Sequence, residues 1–153
     1  MELGSEISRG DNGIVYNCRY RGIDAACKIG KISESEISMI VNAGDIAPEI
    51  YNIEKNIIIM EILSTTLYET IRSDKLDVLR LVELGKRVIN RGIHLDLHQL
   101  NIMDYKVIDF GESYYTDDRE ELLAQWSFFI SMCTVKEYLP EIEENIIYRM
   151  LVN

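Results

Sequence analysis

The chain has few of the residues that interrupt or cross-link a fold. It contains two prolines and three cysteines in 153 residues. With so little proline and no low-complexity tract, no linker is visible, and a length near about 150 residues is typical of one domain. The odd number of cysteines, without C-x-x-C spacing, favours reduced intracellular thiols over a disulfide framework. The sequence therefore predicts a single domain, residues 1–153, in a reducing compartment.

Long apolar runs and positive charge are also scarce. The longest uncharged stretch, residues 122–135, is shorter than the roughly 20 residues of a membrane span, and the N-terminus lacks a secretory signal pattern. Sixteen Lys and Arg against 26 Asp and Glu give a formal charge of -10. This balance disfavours binding to nucleic acid or to anionic membranes. We expect a cytoplasmic protein that binds neither.

Isoleucine, in contrast, is abundant, with 23 residues against eight valines. This bias is typical of an AT-rich genome, such as those of some large DNA viruses or parasites. A viral origin would make the host cytoplasm the expected compartment.

Runs of β-prone residues predict two hairpins in the first sixty residues, from residues 14–20 with 25–29 and from residues 48–53 with 57–62. Between them, residues 34–43 predict a short amphipathic helix that ends at a glycine. Its predicted apolar face consists of Ile37, Ile40 and Val41.

The second half of the chain has helical periodicity instead. Residues 76–91 carry an apolar stripe, with Asp77 near the start and Gly92 just past the end, both in favourable positions. Residues 117–133 and 140–151 also predict helices. Their predicted apolar faces are Leu122, Trp126, Phe129, Ile130 and Cys133 for the first, and Ile142, Ile146 and Met150 for the second. The sequence thus predicts an α+β fold with a cleft between a strand-rich half and a helical half.

Residues able to handle phosphate and magnesium occur in four segments. Residues 8–15 contain two glycines that allow close approach of the backbone to phosphate, and Lys28 follows an apolar run on a predicted strand. Asp96 and Asn101 lie five residues apart in a loop after a helix, and Asp109 follows eight residues later. Two carboxylates and an amide oxygen can together accept a proton and hold Mg²⁺ on phosphate groups.

The order of these segments resembles that of the eukaryotic-like protein kinase superfamily, with its Gly-rich loop, strand lysine, catalytic loop and D-F-G motif. The resemblance covers residues 8–126, and the compact layout is similar to that of atypical kinases such as the kinase of the KEOPS tRNA-modification complex. It implies a bilobal fold with an N-lobe of about residues 1–62 and a truncated C-lobe of about residues 63–153. It also implies ATP and Mg²⁺ as cofactors.

The resemblance assigns roles to individual residues. The catalytic set is Asp96 as the proton acceptor, Lys28 with its ion-pair partner Glu36, Asn101 and His98. Glu34 is a second candidate for the partner of Lys28. The metal ligands are Asn101 and Asp109. The nucleotide-binding residues are Ser8, Gly10, Gly13, Val15, Ala26, Lys28, Met60, Glu61 and Leu63, of which Glu61 and Leu63 belong to the hinge whose backbone binds adenine. His94 is implied to support the backbone of the D-F-G segment.

The chain departs from the family pattern at two places. No A-P-E sequence follows Gly111, so the peptide-docking platform is missing or rebuilt, and His98 stands where protein kinases have lysine, as in small-molecule phosphotransferases. The favoured interpretation is a minimal Ser/Thr protein kinase whose protein substrate is basic. A kinase-like decoy that binds a regulatory partner and a small-molecule kinase or ATPase switch are the alternatives. The oligomeric state is left open.

A transition-metal site is a competing interpretation of the same loop. His94, Asp96 and His98 alternate along an extended segment, so their side chains would point to one side. Together with Asp104 or Asp109 they would offer ligands for zinc or iron.

Overall fold

The N-terminal half of the chain forms an antiparallel sheet. The computed structural model describes residues 1–134 and 140–153, with side chains described for residues 1–134 and 144–153. The five strands lie in the order β1-β2-β3-β5-β4. They are β1 (Glu2–Gly10), β2 (Gly13–Tyr20), β3 (Ile23–Gly30), β4 (Ile50–Glu54) and β5 (Ile57–Met60). Both predicted hairpins are confirmed.

The hairpin between β2 and β3 closes with two residues, because Tyr20 pairs directly with Ile23. Arg21 and Gly22 both have positive φ, 51° and 79°. Two successive residues of this kind form a turn whose twist matches that of the strands, which explains the register of the hairpin.

A helix, α1 (Glu34–Asn42), follows the first three strands. It starts directly after Ser33, whose hydroxyl accepts a hydrogen bond of 3.0 Å from the Glu36 backbone N–H. The helix was predicted correctly, but part of its face was not. Met39 is buried, while Val41 is 54% exposed, because Glu36, Met39 and Ile40 share the inward face at helical spacing.

Helices dominate the second half of the chain. They are α2 (Leu67–Arg72), α3 (Val78–Asn90), α4 (Arg119–Thr134) and α5 (Pro140–Val152). The last three were predicted. α3 begins one residue after Asp77, whose carboxylate accepts a hydrogen bond from the Arg80 backbone N–H at 3.2 Å. Gly92, at a φ of 67°, follows its end.

The inward face of α5 differs from the prediction. Ile147 and Leu151 are buried, whereas Ile146 is 50% exposed. The helix is therefore rotated so that its buried positions lie one residue later than expected. Met150 contacts the core, and the side chain of Ile142 lies outside the described residues.

Two small antiparallel pairs lie within the helical half. β6 (Ile93–His94) pairs with β9 (Tyr114–Tyr115), and β7 (Ile102–Met103) pairs with β8 (Lys106–Val107). A 3₁₀ turn, Gly44–Ile46, connects α1 to the second half of the sheet. The result is a mixed α+β fold, as predicted.

The largest hydrophobic core belongs to the helical half and includes α1. Trp126 and Phe110 are its largest buried side chains, and Met39 and Ile40 of α1 belong to the same cluster. Separate small clusters involve the sheet, and Ile37 of α1 contacts one of them. α1 therefore contacts both halves of the fold.

Packing between α3 and α4 depends on a glycine. A Cβ added at Gly85 would lie 2.9 Å from Cε3 of the buried Trp126 ring. We expect Gly85→Ala to lower the free energy of unfolding by about 1–3 kcal/mol, although alanine favours helix more than glycine does. Denaturant unfolding measures this. Gly10→Ala is the matched control, because nothing lies within 4 Å of the added Cβ. Equal stability of both variants would contradict the packing argument.

Candidate active site

A cleft of about 1290 Å³ lies between the sheet and the helical half. It is lined by residues of both halves, and Glu36 is the one predicted site residue that does not line it. The predicted residues in its wall are Ser8, Gly10, Gly13, Val15, Ala26, Lys28, Met60, Glu61, Leu63, Asp96, His98, Asn101 and Asp109. Residues from four separate sequence segments therefore meet in one place.

The turn between β1 and β2 closes one end of the cleft. Gly10 pairs with Gly13, and Asp11 and Asn12 form the connection. Gly13 has to be glycine, because a Cβ there would lie 2.6 Å from the Ile29 carbonyl oxygen. The Asn12 side chain reaches across the cleft, where its Nδ2 lies 3.3 Å from a Cβ built on Gly111. The turn thus lies directly beside the segment that carries Asp109, a contact of Asn12 that the motif alone did not predict.

Lys28 and Glu36 form an ion pair. Lys28 Nζ lies 2.5 Å from Glu36 Oε1, and the two side chains are 14% and 3% exposed. Because Ser33 caps α1, Glu36 falls in the first turn of the helix and faces β3, although only residues 31–33 separate strand and helix. Glu34, the second candidate, is exposed. The contact between Lys28 and Glu36 is present as predicted, and its role toward phosphate remains a prediction.

The loop after β6 presents Asp96 to solvent. Asn101 closes this loop, since its Nδ2 donates to the Asp96 carbonyl oxygen at 2.9 Å and its backbone N–H donates to the His98 carbonyl oxygen at 3.0 Å. The Asp96 carboxylate has no ion-pair or hydrogen-bond partner within the described chain. It is an exposed acceptor with free oxygen atoms, which is what proton abstraction requires.

The short hairpin of β7 and β8 brings Asn101 and Asp109 together. Asp104 and Tyr105 at its tip have positive φ, and at its open end the Ile108 N–H donates to the Asn101 carbonyl oxygen at 2.9 Å. Asp109 is therefore next to Asn101 in space. Asp109 Oδ1 accepts a hydrogen bond of 2.9 Å from the Gly111 N–H, and the neighbouring Phe110 is buried in the core.

This pair of oxygen donors fits Mg²⁺. The Asn101 amide nitrogen is used by the Asp96 carbonyl, so its Oδ1 remains as a ligand beside the Asp109 carboxylate. Mg²⁺ usually takes only one or two carboxylates from the protein, with substrate phosphates and water completing six ligands. The residues present are consistent with that set.

The described side chains do not form the ligand set that the competing transition-metal site requires. Among the described side chains, those of residues 1–134 and 144–153, no group of three or more His, Cys, Asp and Glu is arranged to hold a metal ion. The two histidines have separate partners. The His94 ring stacks on Tyr114 with centroids 4.5 Å apart, and His98 Nδ1 accepts from the Leu100 N–H at 3.2 Å.

The expected role of His94 also differs. Its Nε2 lies 3.6 Å from Glu121 Oε1, and its buried Nδ1 has no hydrogen-bond partner in the described part of the chain. The ring contacts β9 and α4 instead of donating to the backbone at residues 109–111, because β9 pairs with β6 alongside it.

Residues 61–65 form the linker between the sheet and the helical half, and this linker is hydrogen-bonded to the β7–β8 hairpin. Lys106 Nζ lies 2.8 Å from Glu61 Oε2, and the Asp104 carboxylate accepts from the backbone N–H groups of Ser64 at 2.9 Å and Thr65 at 3.2 Å. Burial acts to raise the pKa of Glu61, but the hydrogen bonds from Lys106 and the Glu49 N–H outweigh it and hold that pKa below its ordinary value. Sequence patterns gave no signal for this role of Asp104 or for Lys106, because both contact distant parts of the chain.

The same linker leaves defined backbone groups for a ligand. The Glu61 N–H donates to the Glu49 carbonyl oxygen at 2.8 Å and is not free. The Leu63 N–H has no partner within the described residues. The Glu61 carbonyl and the Leu63 N–H are therefore among the groups of the predicted hinge that remain open to a planar hydrogen-bonding ligand.

The cysteines take no part in the cleft. All three are free and buried, and burial raises the pKa of the Cys133 thiol to about 11. Such a thiol is a poor nucleophile at neutral pH.

Comparison with known proteins adds no assignment. No protein-family model matches the chain, and a search of curated proteins finds no match. Within the described residues, no helix has both the length and the apolar character that crossing a membrane requires.

Replacing one partner of the ion pair between Lys28 and Glu36 should lower the free energy of unfolding more than replacing both partners does. Glu36→Leu leaves the lysine buried without a partner, so we expect a loss of about 3 kcal/mol in the free energy of unfolding. The double variant with Lys28→Met should recover most of this loss, since an apolar pair needs no charge partner. Denaturant unfolding measures both. Glu34→Leu, on the exposed face of the same turn, is the control. A loss at Glu36 no larger than at Glu34 would refute the prediction.

The ion pair between Lys106 and Glu61 predicts a pH dependence. A carboxyl whose pKa is lowered on folding contributes stability above its ordinary pKa of 4.5, and that contribution is lost as pH falls through the lowered value. Lys106→Met should therefore cost about 1 kcal/mol at neutral pH and progressively less below about pH 4.5. Unfolding curves across this range measure the difference. Lys55→Met, at an exposed turn, should show no such trend. A difference independent of pH would rule the ion pair out as its cause.

Proposed function

We propose that the chain is an ATP- and Mg²⁺-dependent phosphotransferase with a protein kinase-like fold, most simply a minimal Ser/Thr protein kinase. The sheet and α1 are its N-lobe, about residues 1–62, and the helical half is its C-lobe, about residues 63–153. One observation carries this proposal. The four motif segments line a single cleft, in which the paired Lys28, the open Asp96 carboxylate and the two oxygen donors Asn101 and Asp109 lie together.

The wall of the cleft offers a site for each part of ATP. The Glu61 carbonyl and the Leu63 N–H suit the adenine edge, with Val15, Ala26 and Met60 as its apolar neighbours. Lys28 supplies a cation for the α- and β-phosphates, and Glu36 holds it in position. The glycine turn over Asp109 supplies space for the phosphates at Gly10.

Phosphoryl transfer needs positioning more than covalent chemistry. The acceptor hydroxyl oxygen forms a bond to the γ-phosphorus, and the bond from that phosphorus to the β,γ-bridging oxygen breaks. ADP leaves with the electron pair, and the hydroxyl proton passes to the Asp96 carboxylate. Mg²⁺, held by Asn101 and Asp109, would neutralise charge on the phosphate oxygens.

The role of His98 follows from its fixed tautomer. Because Nδ1 accepts from the Leu100 N–H, the neutral ring carries its proton on Nε2. His98 thus offers an Nε2–H donor at the position where protein kinases have lysine.

Transfer of radiolabelled γ-phosphate tests these roles. We expect the wild type to label itself or generic protein substrates, and Asp96→Asn and Asp109→Asn to reduce incorporation by about 10²-fold or more. Asp117→Asn, an exposed carboxylate outside the cleft wall, is the matched control and should retain wild-type activity. Equal incorporation of phosphate by all four proteins would contradict the roles assigned to Asp96 and Asp109.

The nucleotide site is checked separately by thermal unfolding. ATP and Mg²⁺ together should raise the melting temperature by more than the sum of their separate effects, because a ligand that binds only the folded state stabilises it. No shift with either would overturn the proposed site even if contaminating activity were present.

A further inference from the structure

Exposed apolar side chains cluster on the helical wall of the cleft. Phe128 and Met132 lie one turn apart on α4, and Leu100 belongs to the loop that carries Asp96. All three line the cleft, and they are 57%, 49% and 55% exposed. Single exposed apolar residues are ordinary, but a group of them beside one cleft is typical of a binding surface.

Hydrogen bonds fix this surface beside Asp96. Gln125 Nε2 donates to the carbonyl oxygen of Leu95 at 2.7 Å, and Leu95 immediately precedes Asp96. Phe128 lies three residues after Gln125 on the same helix. Gln99, which precedes Leu100, contacts Cys133 Sγ at 3.9 Å. α4 is therefore attached on both sides of the proposed proton acceptor, so the apolar surface borders the position of the acceptor hydroxyl.

As far as the structure describes it, this part of the cleft has carboxylates without an ion-pair partner, whereas its basic side chains are paired. Among the described residues of the wall, the Lys and Arg side chains are Arg9 and Lys28, which are already paired with Glu6 and Glu36. The carboxylates of Glu69 and Glu112, in contrast, line the cleft without an ion pair in the described chain. Their charge adds to the formal charge of -10. A positively charged occupant is favoured.

We propose that Leu100, Phe128 and Met132 form an acceptor subsite that binds a large apolar side chain of a basic protein segment, next to the Ser or Thr that receives the phosphate. Glu69 and Glu112 select the basic residues of that segment. The proposal rests on the proposed phosphotransferase function and names its class of substrate. The volume of the cleft, about 1290 Å³, exceeds the roughly 300–1,000 Å³ of a single small-molecule site, which leaves room for a peptide segment beside a nucleotide.

Peptide binding tests the subsite independently of catalysis. The probe is a fluorescent peptide with a central serine, a neighbouring phenylalanine and flanking arginines, and its affinity for the full chain is measured by anisotropy with Mg²⁺ and a non-hydrolysable ATP analogue. Replacing the phenylalanine by glycine should weaken binding by about tenfold or more, the value of burying one such side chain. Replacing the arginines by glutamates should weaken it by at least as much.

Substitutions in the chain locate the effect. Phe128→Glu should remove the preference for phenylalanine over glycine, and Glu69→Lys should reduce the preference for arginine. Leu79→Glu is the matched control, because Leu79 is 65% exposed on α3 and does not line the cleft, so the preferences should remain. Thermal unfolding of each variant verifies that it is folded.

Phosphate transfer to the same peptides, measured in parallel, distinguishes the two proposals. Preferential binding with transfer supports both. Preferential binding without transfer supports the subsite and overturns the phosphotransferase function. Transfer or binding without any preference between the peptides overturns the subsite, as does a preference that Phe128→Glu leaves unchanged.

Discussion

The ion pair between Lys28 and Glu36 is the contact on which the arrangement of the two halves depends. It attaches the first turn of α1 to β3. The same helix contributes Met39 and Ile40 to the core of the helical half, while Ile37 contacts the sheet. A buried charge pair is costly to separate, so α1 cannot leave the sheet without leaving a largely buried Lys28 without its partner. The pair thereby joins the sheet to α1, and through α1 to the core of the helical half, beside the cleft.

A second constraint is the shortness of the β7–β8 hairpin. Because its strands have two residues each, Asn101 and Asp109 lie at its open end, while Asp104 and Lys106 at its tip reach the linker. One small element therefore positions both proposed metal ligands and holds the linker. The arrangement accounts for how a chain of 153 residues brings these groups together with so few intervening residues.

Much of the fold follows from local sequence signals. The hairpins have β-branched runs on either side of turn residues, and α3 has both a capping aspartate and a glycine at its end. The predicted site residues follow the order and spacing of a known pattern, and every one except Glu36 lines the cleft. The resemblance predicts Glu36 as the partner of Lys28, because it implies a glutamate one helical turn before an apolar residue, here Ile40.

The remaining features depend on contacts between distant parts of the chain. Periodicity did not decide whether Val41 or Met39 faces inward, because both are apolar and the choice depends on how α1 meets two cores at once. The same ambiguity moved the buried position of α5 from Ile146 to Ile147. Asp104 and Lys106 act across about forty residues of sequence, and Phe128 lies beyond the last motif, so no local pattern marks them.

The tethered linker has a mechanical consequence. Of residues 61–65, Glu61 is held by Lys106, and Ser64 and Thr65 are held by Asp104. Any rotation of the sheet against the helices is therefore concentrated in Ile62 and Leu63. The Leu63 N–H also has no partner within the described residues, so a ligand bound there would contact the residues in which such a rotation takes place. Binding of a ligand in the cleft would then also restrict motion at Ile62 and Leu63, and the protein without ligand would be the more flexible of the two states.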